Sequence, residues 1–237
     1  MADGIYVGMS AATARMAQLD AIADNLANIE SPGFKGVRAA FASFLPPGGP
    51  SDKVLSGAVA TTIDMSPGTS ETTDAPTDVI PDGDGLLGVQ MGGGKLAYTR
   101  NGHIVVSGDG VLQIAGQAVL DEQGQQIVVP PQSEVSIDTN ADVRANGQVV
   151  AKLGLWSSQG GAMDKVGPAL LAPSAGTQMT PDTGGSLRVG ELELGNVSAL
   201  ESTVAMIGAQ RNYDLAMQAI QTYRELDQSV TQVGTVR

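Results

Sequence analysis

The chain contains no cysteine, a single histidine, one tryptophan, four tyrosines and three phenylalanines among 237 residues. Without cysteine there is no disulfide, thiol nucleophile or thiolate metal site, and its absence suits either redox compartment. With so few aromatics, aliphatic side chains must fill any core. Positive charge is scarce too: 13 Lys and Arg stand against 25 Asp and Glu, a formal net charge of −12. That excludes a global positive field for nucleic acid or for an anionic membrane as the main driving force. No apolar run approaches the ~18 residues that would span a bilayer. The N-terminus, MADGIYVGMSAATARMAQLD, does not read as a Sec signal peptide: it has an acid at Asp3, no basic leading region, and polar interruptions. Any passage out of the cytoplasm is expected to use another route. What remains is 42% hydrophobic and 16% charged, with glycine at 31 positions. This balance argues against a wholly disordered chain and for one or two folded domains.

Catalytic sets are missing as well. No GxSxG, HExxH or phosphate-binding loop is present. Gly92-Gly93-Gly94-Lys95 lacks the earlier glycine and the following Ser/Thr of a phosphate loop and precedes a strand pattern, so it reads as a plain turn. His103 follows a turn signal and reads as a surface or edge-strand side chain. Asp74, Asp78, Asp82 and Asp84 make the densest acidic run. Asp82-Gly83-Asp84-Gly85 matches a fragment of a calcium loop but lacks its further oxygen ligand and its bidentate acid, and reads as a solvated turn. Glu191 and Glu193 would share one strand face and, without a cleft partner, read as solvent face or interface. Trp156, ending a strand pattern, reads as core. No cofactor or metal site is expected, and an enzyme is the weakest class of function.

Both ends of the chain carry helical patterns. Ile5, Met9, Ala12, Met16, Leu19, Ala23 and Leu26 are spaced 4, 3, 4, 3, 4, 3, a heptad seam broadened by Ile22 and Ile29. The spacing predicts a helix over 4–30, stopped by Pro32 and Gly33. Met206, Ala209, Tyr213, Ala216, Ile220, Tyr223, Asp227 and Val230 make a second seam, with Leu200, Val204, Ile207 and Leu215 as another apolar edge. A helix over 197–233 follows, with Asn196 as its cap and Glu201 at its positive end. The two helices either pack only on each other or also face other subunits; the amount of apolar edge favours the second.

The middle of the chain reads as β. Residues 31–75 are rich in Pro, Gly, Ser and Thr and suggest an extended connector. Lys95–Arg100 and His103–Ser107 around Asn101-Gly102 suggest a hairpin, as do the turns Gly108-Asp109-Gly110 and Asn146-Gly147. A strand is expected over Val149–Trp156. The fold expected is α+β: long coiled-coil-type terminal helices packed together, with an inserted antiparallel β-rich domain. The expected divisions are an N-terminal inner-domain helix over 1–30, a connector over 31–75 and a β-rich outer domain over 76–190. A strand and helix over 191–237 would complete the inner domain.

Several segments carry a specific resemblance. Asp24-Asn25-Leu26-Ala27-Asn28 followed by Ser31-Pro32-Gly33-Phe34-Lys35 resembles the N-terminal signature of bacterial flagellar rod and hook proteins. Gly195-Asn196-Val197, Glu201, Met206-Ile207, Gln210-Arg211 and Tyr213-Asp214 resemble their C-terminal signature. Tyr98-Thr99-Arg100-Asn101-Gly102, Asp109-Gly110 and Gly190-Glu191-Leu192-Glu193 match the central region and the strand before the last helix. Asp24, Leu86-Leu87 and Gln218 depart from the usual pattern. The length and the tail Thr222–Gln228 match the proximal rod type. The distal rod type and a soluble periplasmic binding module are the alternative readings.

The resemblance implies a structural subunit of the flagellar basal-body rod. Such a subunit is exported by the type III apparatus without a cleaved signal and polymerises through its terminal helices into a tube that transmits torque across the periplasm. The partners implied are further copies and neighbouring proximal and distal rod proteins, without nucleic acid or membrane insertion. The implied assembly residues are Ile5, Met9, Ala12, Met16, Leu19, Ala23, Asn25, Leu26, Asn28, Gly33 and Phe34, with Asn196, Val197, Leu200, Val204, Met206, Ile207, Gln210, Arg211, Tyr213, Ala216, Ile220 and Tyr223. Asn25 and Asn28 are either helix-surface amides or hydrogen-bonding groups between subunits, and Arg211 is either solvated or an intersubunit ion-pair partner. Asp in place of Leu26 or Ile220 is expected to block assembly and leave the β-domain folded.

Overall fold

A computed structural model describes residues 2–44 and 55–234. It contains two long helices, α1 (Ala2–Ala27) and α2 (Ala199–Gly234), and a succession of short strands between them, which is the α+β arrangement expected. The chain divides into two compact units.

The first unit comprises Met1–Ala27, Val37–Thr62 and Ser198–Arg237. Here α1 packs against α2 and against the strand Val37–Phe44, which pairs with Leu55–Ile63. Small residues make the helices approach closely. Among the described residues, Ala12, Ala14 and Ala21 are the buried apolar side chains of α1, and Ala209 and Ile220 those of α2. A Cβ on Gly8 would stand 2.7 Å from Ile220 Cγ1, so the bare backbone at Gly8 makes room for the isoleucine. The strands at 37–44 and 55–63 fall where composition suggested a loose connector. The β-branched residues Val59, Thr61, Thr62 and Ile63 outweigh the flanking Pro and Gly.

The helix limits also move. α1 ends at Ala27 rather than 30, because the chain closes a turn in which the Ser31 N–H donates to the Asn28 carbonyl at 3.0 Å. α2 begins at Ala199, and its cap is Ser198: the Ser198 Oγ accepts the Glu201 N–H and the Ser198 carbonyl accepts the Ser202 N–H.

The second unit comprises Asn28–Gly36 and Ile63–Val197. Its main sheet runs in the order 163–165, 171–173, 96–99, 86–90, 117–119, 112–114, 105–106, with 155–157 also joined to 86–90. A three-stranded antiparallel sheet, 135–137, 142–145 and 148–152, turns at Asn146-Gly147 as expected, both residues having positive φ. The core is aliphatic: Val79, Leu87, Val89, Ile104, Leu112, Ile114, Val119, Ile127 and Leu153 are at most 2% exposed. Trp156 is half-buried, its ring edge-on to Tyr98 at 5.8 Å.

Two strand expectations need correction. Asn101-Gly102 is not a hairpin turn. The strand Leu96–Thr99 pairs with Leu86–Gln90, whereas Val105–Val106 pairs with Leu112–Ile114 through the Gly108-Asp109-Gly110 turn. Gly102 instead passes against Val79, whose carbonyl a Cβ there would meet at 1.6 Å. The run Val149–Trp156 is split, because Gln148–Lys152 and Leu155–Ser157 join different sheets. A period-two pattern gives strand identity but not partner.

Candidate assembly interface

The seam of α2 is its less exposed face. Ala209 and Ile220 are buried, and Met206, Tyr213 and Ala216 are half-buried, while Gln210, Arg211 and Tyr223 are exposed. The second apolar edge faces out: Leu200 is 75% exposed, Val204 63%, Leu215 61% and Ile207 48%. On α1 the seam divides. Ala12 is buried and Ile5, Leu19 and Leu26 are half-buried, but Met9, Met16 and Ala23 are exposed, beside the exposed Tyr6 and Val7. Each helix therefore keeps an uncovered apolar edge after the two have packed. Such an edge is what a subunit contact needs.

Asn25 is engaged within its own chain. Its Nδ2 donates to the Val37 carbonyl at 2.8 Å and its Oδ1 accepts the Val37 N–H at 2.7 Å. Asn28 is half-buried, and its carbonyl holds the turn that follows α1. Val197 is half-buried. Asn196 does not cap α2. Its Oδ1 accepts the Gly36 N–H at 2.8 Å, and its Nδ2 donates to the carbonyls of Asp64 and Ser66. The helix-cap reading failed because an Asn near a helix start serves equally well to tie loops.

Gly33 and Phe34 lie in the β unit and are buried. Lys165 Nζ sits 4.5 Å from the centre of the Phe34 ring, a cation–π contact. Gly33 has φ +67°, and a Cβ on it would stand 2.0 Å from the Asn101 nitrogen. Gly33→Ala is expected to cost about 2–5 kcal/mol, from the left-handed backbone and the forced displacement of Arg100 and Asn101. Unfolding followed by the fluorescence of Trp156, the single tryptophan, checks this.

The turn at 33–35 ends in a buried ion triad. Lys35 Nζ lies 2.6 Å from Glu193 Oε1, and Arg100 Nη2 lies 2.6 Å from Glu193 Oε2, with side-chain exposures of 2%, 7% and 3% for Lys35, Arg100 and Glu193. The Gly68 N–H also donates to Glu193 Oε1, and Arg100 Nε to Oε2. Lys35 Nζ donates further to the Ser66 carbonyl, and Arg100 Nη1 to the carbonyls of Gly83 and Gly85. Burial pushes the Glu193 carboxyl up, but the Gly68 N–H, the Lys35 ammonium and the Arg100 guanidinium together hold it below its ordinary value. Burial pulls Lys35 down against the raising effect of Glu193.

Glu193 is thus neither solvent face nor surface interface. Glu191 is half-buried and pairs with Arg188 at 2.8 Å. The pattern of two acids on one strand face was legible, but their opposite fates depend on cations 93 and 158 positions away. The signal available was a charge between leucines, Leu192-Glu193-Leu194, in a chain poor in charge. His103 is an exposed side chain whose Nδ1 meets Asp78 Oδ1 at 2.8 Å.

Comparison with known proteins matches three segments. Residues 5–35 match the family described as flagella basal body rod protein. Residues 81–151 match the flagellar hook protein FlgE/F/G D1 domain. Residues 188–233 match the C-terminal part of flagellar basal body rod FlgEFG proteins. Each segment supplies one member of the triad: Lys35, Arg100 and Glu193. The chain is 31% identical to the flagellar basal-body rod protein FlgF of Salmonella typhimurium, with 95% of each chain covered. It is 33% identical to FlgF of Escherichia coli over 93% of each. With the rod protein FlgG of Borreliella burgdorferi it shares 28% identity over 94% of this chain and 95% of that one.

Proposed function

The chain belongs to the flagellar basal-body rod protein family, and from that premise we propose that it is a FlgF-like structural subunit of the rod, polymerising through its terminal helices. The observation that carries this reading is the apolar edge left outward on both helices, with Leu200, Val204 and Leu215 on α2 and Met9 and Met16 on α1. A solitary helix pair gains nothing by exposing such side chains, whereas a subunit contact buries them. Contacts between different faces of the same subunit that do not close a ring build a helical tube. The seat of the subunit is the periplasmic part of the rod, reached by the type III route.

The chemistry of the triad supports a structural rather than catalytic part for Glu193 within this reading. Both oxygens of Glu193 are occupied by N–H donors and cations. A carboxylate so saturated has no lone pair poised for a substrate proton.

Purified basal bodies test this reading. Immunogold labelling and mass spectrometry are expected to place the chain on the rod just outside the inner membrane. Label nearer the hook would favour the distal rod type. Absence from complete basal bodies would overturn the rod reading in favour of a soluble periplasmic module.

A further inference from the structure

The strand pair Leu86–Gln90 and Leu96–Thr99 forms one hairpin, in register from Leu87 opposite Thr99 to Gln90 opposite Leu96. Its inner residues Leu86, Leu87, Val89, Ala97 and Thr99 are fully buried, so its two ends are held at a fixed separation of roughly 16 Å, at about 3.3 Å per residue. The two ends are chemically opposite. At the closed end, Gly92–Gly94 form a single exposed turn with open space around Gly92 and Gly93. It carries Lys95, and next to it Leu96, which is 50% exposed.

The other end opens on a cavity of about 270 Å³ lined by Met65, Pro67, Pro81, Asp82, Gly83, Asp84, Arg100 and Arg188. The cations already in this wall are engaged: Arg100 by Glu193 and two carbonyls, Arg188 by Glu191 and Asp82. Asp84 is exposed and, like Lys95, has no ion-pair partner among the described residues. The cavity lies below the size of a usual small-molecule site, about 300 Å³ and upward. It suits one long side chain with an apolar stem and a positive head.

We propose that Lys95 and Leu96 of one copy of this chain dock into the Asp84 cavity of a second copy, joining β units head to tail. The apolar stem and Leu96 meet Met65, Pro67 and Pro81, and the ammonium meets Asp84. Knob and hole sit at opposite ends of one hairpin, so the contact is heterologous, and it extends as an open chain when the rotation between copies does not close a ring. This rests on the rod reading, because only an assembling subunit has a use for an open-ended contact. It also assigns a role to two motifs that otherwise read as plain turns.

The natural absence of cysteine makes the test clean. The full-length Asp84→Cys/Lys95→Cys chain, oxidised in solution, is expected to give a ladder of dimers, trimers and longer species. Each single variant can give dimers at most. Asp84→Lys and Lys95→Glu are each expected to weaken self-association by sedimentation about fivefold, the scale of a surface ion pair, and the double charge swap to restore it. A double-cysteine chain that stops at dimers, or a swap that restores nothing, would overturn the head-to-tail contact. Incorporation of the chain into basal bodies is scored separately by mass spectrometry. Incorporation without the ladder removes this contact and leaves the rod reading standing; a ladder without incorporation does the reverse.

Discussion

Glu193→Ala is expected to destabilise the β unit by about 3–5 kcal/mol, because it strands two cations in a buried site. Lys35 and Arg100 are almost fully buried and meet on this one carboxylate. Removing it also orphans the Gly68 N–H. Chemical unfolding followed by Trp156 fluorescence reads the loss, since that indole packs beside Leu86 and Tyr98 in the same unit. A loss below about 1 kcal/mol, the scale of an exposed pair, would show that the triad is solvated in solution. Replacing Lys35, Arg100 and Glu193 together by apolar residues is expected to recover part of the loss. Recovery stays incomplete because the Gly83 and Gly85 carbonyls lose their donor.

The same carboxylate sets a pH dependence with a defined sign. Its folded pKa lies below the ordinary value, so the unfolded chain binds more protons across that interval. The stabilisation is present in full above the ordinary glutamate range. It is lost as pH falls through the folded value. Glu193→Gln is expected to flatten the acid limb of a plot of urea midpoint against pH; an unchanged limb would assign acid sensitivity to other carboxylates.

The Leu200→Asp/Leu215→Asp chain is expected to fold normally and fail to assemble. Both side chains are exposed on α2, so the helical signal and thermal midpoint should shift by no more than about 0.5 kcal/mol equivalent. A charge placed in the centre of an apolar contact costs about 2 kcal/mol or more, some thirtyfold per contact. A tube multiplies that loss over its contacts, so cells carrying only this variant should be non-motile and lack complete rods. Normal motility would remove the outer edge of α2 from the interface. Ile220→Asp makes a useful contrast. Ile220 is 4% exposed and packs at Gly8, so an acid there strikes the helix pair before it strikes any neighbour. Its loss of assembly would therefore not discriminate between folding and contact, which the exposed pair does.

How far local pattern reaches is visible element by element. The terminal helices were legible because apolar spacing over several turns is redundant, and one misplaced residue does not erase it. The Asn146-Gly147 turn was legible because positive φ at both residues restricts the choice of side chains. The Asn101-Gly102 turn failed because the same dipeptide serves a strand exit packed against Val79. Likewise, the seam of α1 could not say which of its two flanks would be covered. Met9 and Met16 share their register with Ala12, but only the alanine is small enough to lie where the second helix approaches closely.

By itself the sequence determined the α+β class, the two helices, an aliphatic rather than aromatic core and, through short signatures, the family. Those properties depend on composition and on spacings of a few residues, which the chain carries wherever it folds. Tertiary structure alone decided that Lys35, Arg100 and Glu193 share one buried site, that Asn25 and Asn196 tie loops, and which helix edges stay outward. Each of these is a pairing between residues far apart in the chain. A local pattern fixes what a side chain offers, but the partner that satisfies it is chosen only when distant backbone arrives beside it and water leaves.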